Sequence, residues 1–253
     1  MRIIVLGSGS IIPTKERFGS SILLETRRLG RVMLDIGPGA LEKLRKLNVD
    51  PRSIRMLLIT HFHVDHVSDL PALIKLKKFL GGDTLHIIGP RGLAEFIEDL
   101  ILKNRFFSYL VDLECLKYIE LHECWDGVAI EGEGYRIISK PVEHFGGVAY
   151  RIEDEDLSLV YSGDTKPDER LIDLSRNIDV LIHECSFPSS VLLGKHTSDE
   201  DLVKIVARVK PRVLVVVHLY PEMELRRYEL MKALRNAFDG DIFIPKDLDI
   251  IEV

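Results

Sequence analysis

Within the stretch Thr60-His61-Phe62-His63-Val64-Asp65-His66, three imidazoles and one carboxylate fall inside six residues. Buried polar groups need partners, so these side chains are poor core material. Imidazole nitrogen and carboxylate oxygen are, however, good ligands for zinc and similar divalent ions. A His-x-His pair alone arises often by chance, whereas His-x-His-x-Asp-His at the end of an apolar run is far more specific for metal. His61 and His63 would serve one ion, and Asp65 and His66 a second.

Four ligands from one loop cannot complete two sites, so this reading requires further ligands elsewhere. His144, Asp164 and His218 each stand just beyond an apolar, strand-like run: Tyr135 to Ser139, Leu157 to Tyr161 and Val213 to Val217. Taken singly, Asp164 in Ser162-Gly163-Asp164-Thr165 reads as a turn or helix-capping carboxylate. His144 and His218 alone are as readily core histidines as ligands. Together the three meet the needs of two ions about 3.5 to 4 Å apart that share a carboxylate and a water. Two divalent ions are therefore expected. Zinc suits the donors, and manganese and iron accept the same ones.

The elements that must position these residues follow from periodicity. Short apolar runs bounded by Gly, Pro or Asp predict strands over 3–6, 21–25, 31–36, 55–59, 85–88, 135–139, 157–161, 180–182 and 213–217. Apolar residues at helical spacing predict helices over 40–47, 70–80, 93–102, 200–209 and 225–238. The run over 55–59 is nearly continuous in large apolar residues, as for a strand buried on both faces, and it delivers the His61 loop. The class is α/β, with a mixed sheet system covered by helices. No Pro/Ser-rich linker, charge block or repeat divides residues 1–253, which read as a single domain.

These residues, in this order, resemble the metallo-β-lactamase superfamily, and the likeness extends over most of the chain. The resemblance implies a four-layer αββα sandwich with metals at one edge of two sheets. It assigns His61, His63 and His144 to one metal, Asp65, His66 and His218 to the other, and Asp164 to a bridge. Within the superfamily, Leu6-Gly7-Ser8-Gly9, Pro13-Thr14-Lys15-Glu16-Arg17, Ser20-Ser21 and Asp69-Leu70-Pro71 are similar to the tRNase Z group and its phosphodiesterase relatives. So are His183-Glu184-Cys185-Ser186-Phe187 and Lys195-His196-Thr197-Ser198. Alone, Glu184 reads as a rim carboxylate and His196 as a surface histidine; as a pair at the group's spacing they imply a catalytic role.

The chain also departs from that group. The long arm that grips transfer RNA would be inserted between the residues matching His144 and Asp164, where only a short connection exists. Leu219-Tyr220-Pro221-Glu222 follows His218 in place of Ser-Arg-Tyr, and Asp35-Ile36-Gly37-Pro38-Gly39 replaces Asp-x-Gly-Glu-Gly. The expectation is therefore a phosphodiesterase, ribonuclease-like in chemistry, acting on RNA or a smaller phosphodiester. A metal-bridging hydroxide would be oriented by Asp65, and His196, held by Glu184, would protonate the leaving alkoxide. The group also implies a homodimer.

Two rivals remain open at this point. A hydrolase of the same fold acting at carbon, such as a thioesterase, lactonase or β-lactamase, would need the same metals. A non-catalytic nucleic-acid-binding or interaction protein would keep the fold for its surface, although unused buried carboxylates and imidazoles would then need compensating partners. Gly7-x-Gly9 lacks the third glycine of a dinucleotide turn. Lys75, Lys77 and Lys78 follow the metal loop on one helix and offer a weak phosphate-attracting patch. His86 and His122 carry no motif, and His183 should face away from Glu184 on a strand.

A formal charge of −6 gives no general attraction to nucleic acid or anionic membrane, so a polyanionic substrate must be held locally or by metal. The odd, widely spaced Cys115, Cys124 and Cys185 fit neither a disulfide framework nor a zinc knuckle, and are expected buried in a reducing cytoplasm. No signal-like or membrane-spanning run is present, so a membrane partner is not expected. Glutamine is absent and asparagine scarce beside abundant Lys, Glu and Arg, which suggests a thermophilic source.

Overall fold

A computed structural model describes residues 1–155, 157–191 and 194–253. The strands are β1 (Arg2–Gly7), β2 (Ser21–Glu25), β3 (Arg31–Leu34), β4 (Ile54–Leu58), β5 (Leu85–Pro90), β6 (Ile119–Cys124) and β7 (Gly127–Gly132). They continue as β8 (Tyr135–Pro141), β9 (Val148–Asp154), β10 (Leu157–Tyr161), β11 (Val180–Glu184), β12 (Val213–Val217), β13 (Asp241–Phe243) and β14 (Ile250–Glu252). They form two seven-stranded sheets, ordered β14-β1-β2-β3-β4-β5-β6 and β13-β12-β11-β10-β9-β8-β7. Both sheets are mixed. β3 to β6 run parallel to one another, as do β10 to β13, with antiparallel pairs on the other side of each set.

Helices α1 (Ala40–Lys46), α2 (Val64–Val67), α3 (Leu70–Leu80), α4 (Leu93–Ile97) and α5 (Tyr109–Asp112) lie along the first half of the chain. Helices α6 (Glu169–Leu174), α7 (Asp199–Val209), α8 (Pro221–Leu225) and α9 (Arg227–Ala237) lie along the second. Three apolar layers result. Leu24, Leu58, Ile88, Tyr150, Leu159 and Val215 pack between the sheets. Leu44, Leu57, Leu73 and Ile87 pack under the first helices, and Val160, Leu181, Leu202 and Leu230 under the second. This is the four-layer αββα sandwich. Along β4, Met56 and Leu58 face the other sheet while Leu57 faces helices, so both faces are buried and the apolar run is continuous.

The predicted strands and helices are present with shifted ends. The strand expected over 31–36 stops at Leu34 because Asp35 adopts a left-handed backbone, φ 55°. The helix expected over 93–102 passes from α-helix to a π-turn at Glu98–Leu102. The helix expected over 225–238 is interrupted at Arg226, φ −104° and ψ 16°, between α8 and α9. The strands β6, β7, β9, β13 and β14 were not anticipated. The lysine patch on α3 is corrected at Lys77: its side chain is buried and its ammonium donates to the Arg52 and Ile54 carbonyls. Lys75 and Lys78 lie over the rings of Tyr109 and Tyr118.

The three cysteines are free and buried. No helix among the described residues is long and apolar enough to cross a membrane.

Candidate metal centre

The loops that leave the carboxyl ends of β4, β10, β11 and β12 converge with the β8–β9 turn at one edge of the sandwich. After β4 the chain enters α2 at Val64, and this single helical turn carries Asp65 and His66 inward while Val64 stays exposed. His144 sits in a tight turn closed by Gly147 N–H to His144 O at 2.6 Å and Val142 N–H to Gly147 O at 3.1 Å. Asp164 follows Gly163, whose φ of 56° needs glycine and where a Cβ would lie 2.7 Å from the Thr60 Cβ. His218 leaves β12 with φ 57°, a conformation that costs of order 1 kcal/mol or more outside glycine.

All seven expected ligands come together. Asp164 is the pivot, because its two oxygens address two different groups. Oδ2 lies 3.7 Å from His61 Nε2 and 3.9 Å from His144 Nε2, and His144 Nε2 is 3.2 Å from His63 Nδ1. Oδ1 lies 3.3 Å from both His66 Nε2 and His218 Nε2, and Asp65 Oδ2 is 3.5 Å from His218 Nε2. His61 Nε2, His66 Nε2, His218 Nε2 and Asp164 Oδ1 are buried without any hydrogen-bond partner. Buried polar atoms are seldom left so, and four of them aimed at one another suit the binding of cations. The residues thus fit two divalent ions.

The opposite ring nitrogens are each held. His66 Nδ1 meets Asp35 Oδ2 at 2.7 Å, His61 Nδ1 meets Thr60 Oγ1 at 3.0 Å, and His218 Nδ1 meets Ser186 Oγ at 2.9 Å. Such partners fix the tautomer that leaves the inward nitrogen free for metal. Two relays share one plan. Asp35 accepts from the Thr60 hydroxyl at 2.9 Å, and that hydroxyl accepts from His61; Glu184 accepts from the Ser186 hydroxyl, which accepts from His218. Asp35 further accepts the Thr60 N–H and the Tyr161 hydroxyl, each at 2.8 Å, so it joins the first sheet to the second.

Burial, ahead of all other influences, holds His61, His63 and His144 below the ordinary histidine range, in the neutral form that can ligate. Burial also disfavours a charged His66, but Asp164 and Asp35 outweigh it and raise that ring. Asp164 is driven well down, its desolvation overcome by His218 and His66. The same carboxylates that favour positive charge on His66 favour a metal cation at its inward nitrogen.

Glu184, at the end of β11, and His196, just ahead of α7, also meet. His196 Nδ1 lies 3.0 Å from Glu184 Oε1, which also accepts the Thr165 N–H at 2.6 Å. The capping box of Ser198 and Asp201 fixes where α7 starts and so anchors the His196 loop. Burial works against a charged His196, yet the hydrogen bond and charge of Glu184 raise its pKa overall. His183 is buried, with Nδ1 on the Glu184 carbonyl at 2.7 Å.

Asp35, Thr60, Tyr161 and Ser186 were not among the expected site residues. Their types are ordinary, and only the Asp-x-Gly retained at Asp35-Ile36-Gly37 offered a signal.

Comparison with known proteins agrees with this geometry. A family model described as anti-Pycsar protein Apyc1 matches residues 1–233. A ribonuclease Z of Mycobacterium marinum is 30% identical over 278 residues, covering 100% of this chain and 99% of that protein. A ribonuclease Z of Pyrococcus abyssi is 29% identical over 301 residues, covering 100% and 96%. Among solved structures, the metallo-β-lactamase fold protein YhfI from Bacillus subtilis superposes with TM-score 0.81 at 21% identity, covering 100% and 99%. The short form of human tRNase Z gives 0.79 at 19%, with the same coverage.

Proposed function

The chain belongs to the anti-Pycsar protein Apyc1 family, in the tRNase Z-like part of the metallo-β-lactamase superfamily, and from that premise we propose that it cleaves phosphodiesters with two zinc ions. It is a metal-dependent hydrolase. The observation that carries the phosphodiester reading is the Glu184–His196 pair beside a carboxylate that faces two sets of ligands.

In this reading His61, His63 and His144 hold one ion, Asp65, His66 and His218 the other, and Asp164 both. Divalent ions bound there lower the pKa of a water and offset the charge of phosphate oxygens. Asp65 orients the attacking water. His196, charged through Glu184, donates its proton to the departing alkoxide, a step that carbonyl hydrolysis of a good leaving group does not need. The exposed Phe145 ring and the stacked pair Phe187 and Tyr220, 4.2 Å apart and each 6.0 Å from His196, offer faces for a nucleobase.

The substrate class we favour is RNA or a smaller nucleotide phosphodiester. The ribonuclease Z relatives support RNA. The short β9–β10 hairpin between His144 and Asp164, where an arm would be inserted, favours small substrates over transfer RNA. We place residues 1–253 in one hydrolase domain, supported by β14 pairing beside β1. We also propose a cytoplasmic homodimer, supported by exposed apolar side chains such as Phe79 and Tyr109 around Lys75. Light scattering tests the dimer.

The deciding experiment is a substrate panel of RNA, cyclic nucleotides, bis-(p-nitrophenyl)phosphate and carboxylic or thioesters on metal-quantified protein. Cleavage of phosphodiesters that is lost on chelation is the expected result. A metal-loaded protein inert to every phosphodiester, or active only on esters, would end the reading.

A further inference from the structure

A second group of metal-ligating side chains lies away from this centre, on the last two strands at one edge of the first sheet. β5 and β6 pair in parallel with His86 beside Glu120 and Ile88 beside His122. Leu121 packs on the helix side of the sheet, whereas Ile88 and Cys124 pack between the sheets. By the two-residue period, His86, Glu120 and His122 share the inter-sheet face, at a partly exposed rim.

Three side chains bring their donor atoms within 4.8 Å of one another. His86 Nδ1 and His122 Nε2 are 3.1 Å apart, and the Glu120 carboxylate straddles them, with Oε2 3.5 Å from His86 Nδ1 and Oε1 3.5 Å from His122 Nε2. Contacts of that length are poor hydrogen bonds to a carboxylate. They are the right edges for a coordination polyhedron, because zinc bonds of about 2.05 Å at tetrahedral angles separate neighbouring ligand atoms by about 3.3 Å. His86 lies opposite Met56 of β4, five residues before His61, so the group stands roughly 16 Å along the strand direction from the metal loop.

We propose that His86, Glu120 and His122 form an additional zinc site, with an open fourth position toward solvent, that clamps the edge strand β6 onto β5. Two neutral imidazoles and one carboxylate are a zinc donor set, and the ladder holds all three at fixed register. The site lends the sheet edge a cross-strand tie in place of further backbone pairing. It is independent of the chemistry assigned to the Asp164 centre.

The test compares zinc content of the intact enzyme with that of the double variant His86→Ala/His122→Ala, both equilibrated with buffered sub-micromolar free zinc. The wild type is expected to hold one more zinc per chain than the variant, while both keep the same phosphodiesterase rate. The difference does not depend on how many ions the Asp164 centre takes. His122→Gln, which keeps a polar side chain at that partly exposed position, should lose the same equivalent and guards against a folding defect. Hydrogen exchange of β6 amides is expected to slow more on zinc addition in the wild type than in the variant, which keeps only the stabilisation from the Asp164 centre. Equal zinc contents in wild type and variants, or a difference appearing only at millimolar zinc, would overturn the proposal.

Discussion

Glu184 serves two histidines at once: it accepts directly from His196 and, through the Ser186 hydroxyl, steadies His218. The two roles separate by mutation. His196→Ala should leave metal content unchanged and slow phosphodiesters with alkoxide leaving groups by about 10² to 10⁴-fold, with a much smaller effect on p-nitrophenyl esters, whose leaving group needs no proton. Equal losses on both would remove His196 from the acid role. Because Glu184 raises the His196 pKa against the effect of burial, and the acid must be protonated, Glu184→Gln should move the alkaline limb of the rate profile to lower pH. Asp35 makes a different case. Its carboxylate touches no substrate position, yet it fixes His66 and, through Thr60, His61. Asp35→Asn tolerates the positive φ but lowers the acceptor strength on both rings, so metal affinity should fall about 10 to 100-fold in a chelator-competition titration. An unchanged affinity would make Asp35 a packing residue only. The histidines were legible because three of them crowd one loop. Asp35 was not, since nothing in a lone aspartate at a strand end announces which imidazole it will meet.

Strands that carry ligands were also the readable ones. β4, β10 and β12 end in buried apolar stretches, interrupted earlier only at Arg55 in β4 and Ser158 in β10, so the residues just beyond them stood out. β6 and β7 are edge strands with half-exposed, polar-interrupted patterns, and β9 alternates Arg and acidic residues with apolar ones. A search for β-branched runs passes over such segments. The same limit hid the group on β5 and β6, because register across an edge ladder, not local sequence, brings His86 to Glu120 and His122. Glycines set how closely elements approach the metal loop. A Cβ on Gly37 would lie 2.2 Å from the Asp65 carbonyl oxygen and 2.8 Å from that of Ser20, both backbone atoms that cannot swing aside. Gly37→Ala should therefore destabilise by about 1 to 3 kcal/mol and, by pushing α2, depress phosphodiesterase activity. Gly30→Ala is the control: its φ of 71° imposes strain of about 1 to 2 kcal/mol, but nothing lies within 4 Å. Comparable losses of stability with activity lost only in Gly37→Ala is the expected pattern; equal activity in both would show that the contact does not position Asp65.

At the scale of the whole molecule, the centre joins the two sheets. His61, His63, Asp65 and His66 come from the first, and His144, Asp164 and His218 from the second, with the Tyr161 hydroxyl reaching across to Asp35. Metal bound there acts on the native state alone, because an unfolded chain disperses these ligands. Surface charges add shared ion pairs, such as Arg2 and Arg31 on Glu25, Arg27 and Arg28 on Glu155, and Arg136 and Arg151 on Glu153. Networks of this kind gain weight at high temperature, in keeping with the scarcity of amide side chains. The holoenzyme should accordingly melt above the roughly 45 to 65 °C of mesophilic domains. An ion at about 100 to 1,000 times its Kd stabilises the fold by roughly 2.7 to 4.1 kcal/mol. For a chain of this length each kcal/mol moves the midpoint by about 2 to 4 °C. Chelation should then lower the midpoint by about 5 to 15 °C as one cooperative transition, since the ligands span both sheets, and zinc should restore it. A chelated protein with an unchanged midpoint would show that the buried imidazoles and carboxylates are self-sufficient. A drop confined to one of two separate transitions would show that the metal stabilises one sheet without coupling it to the other.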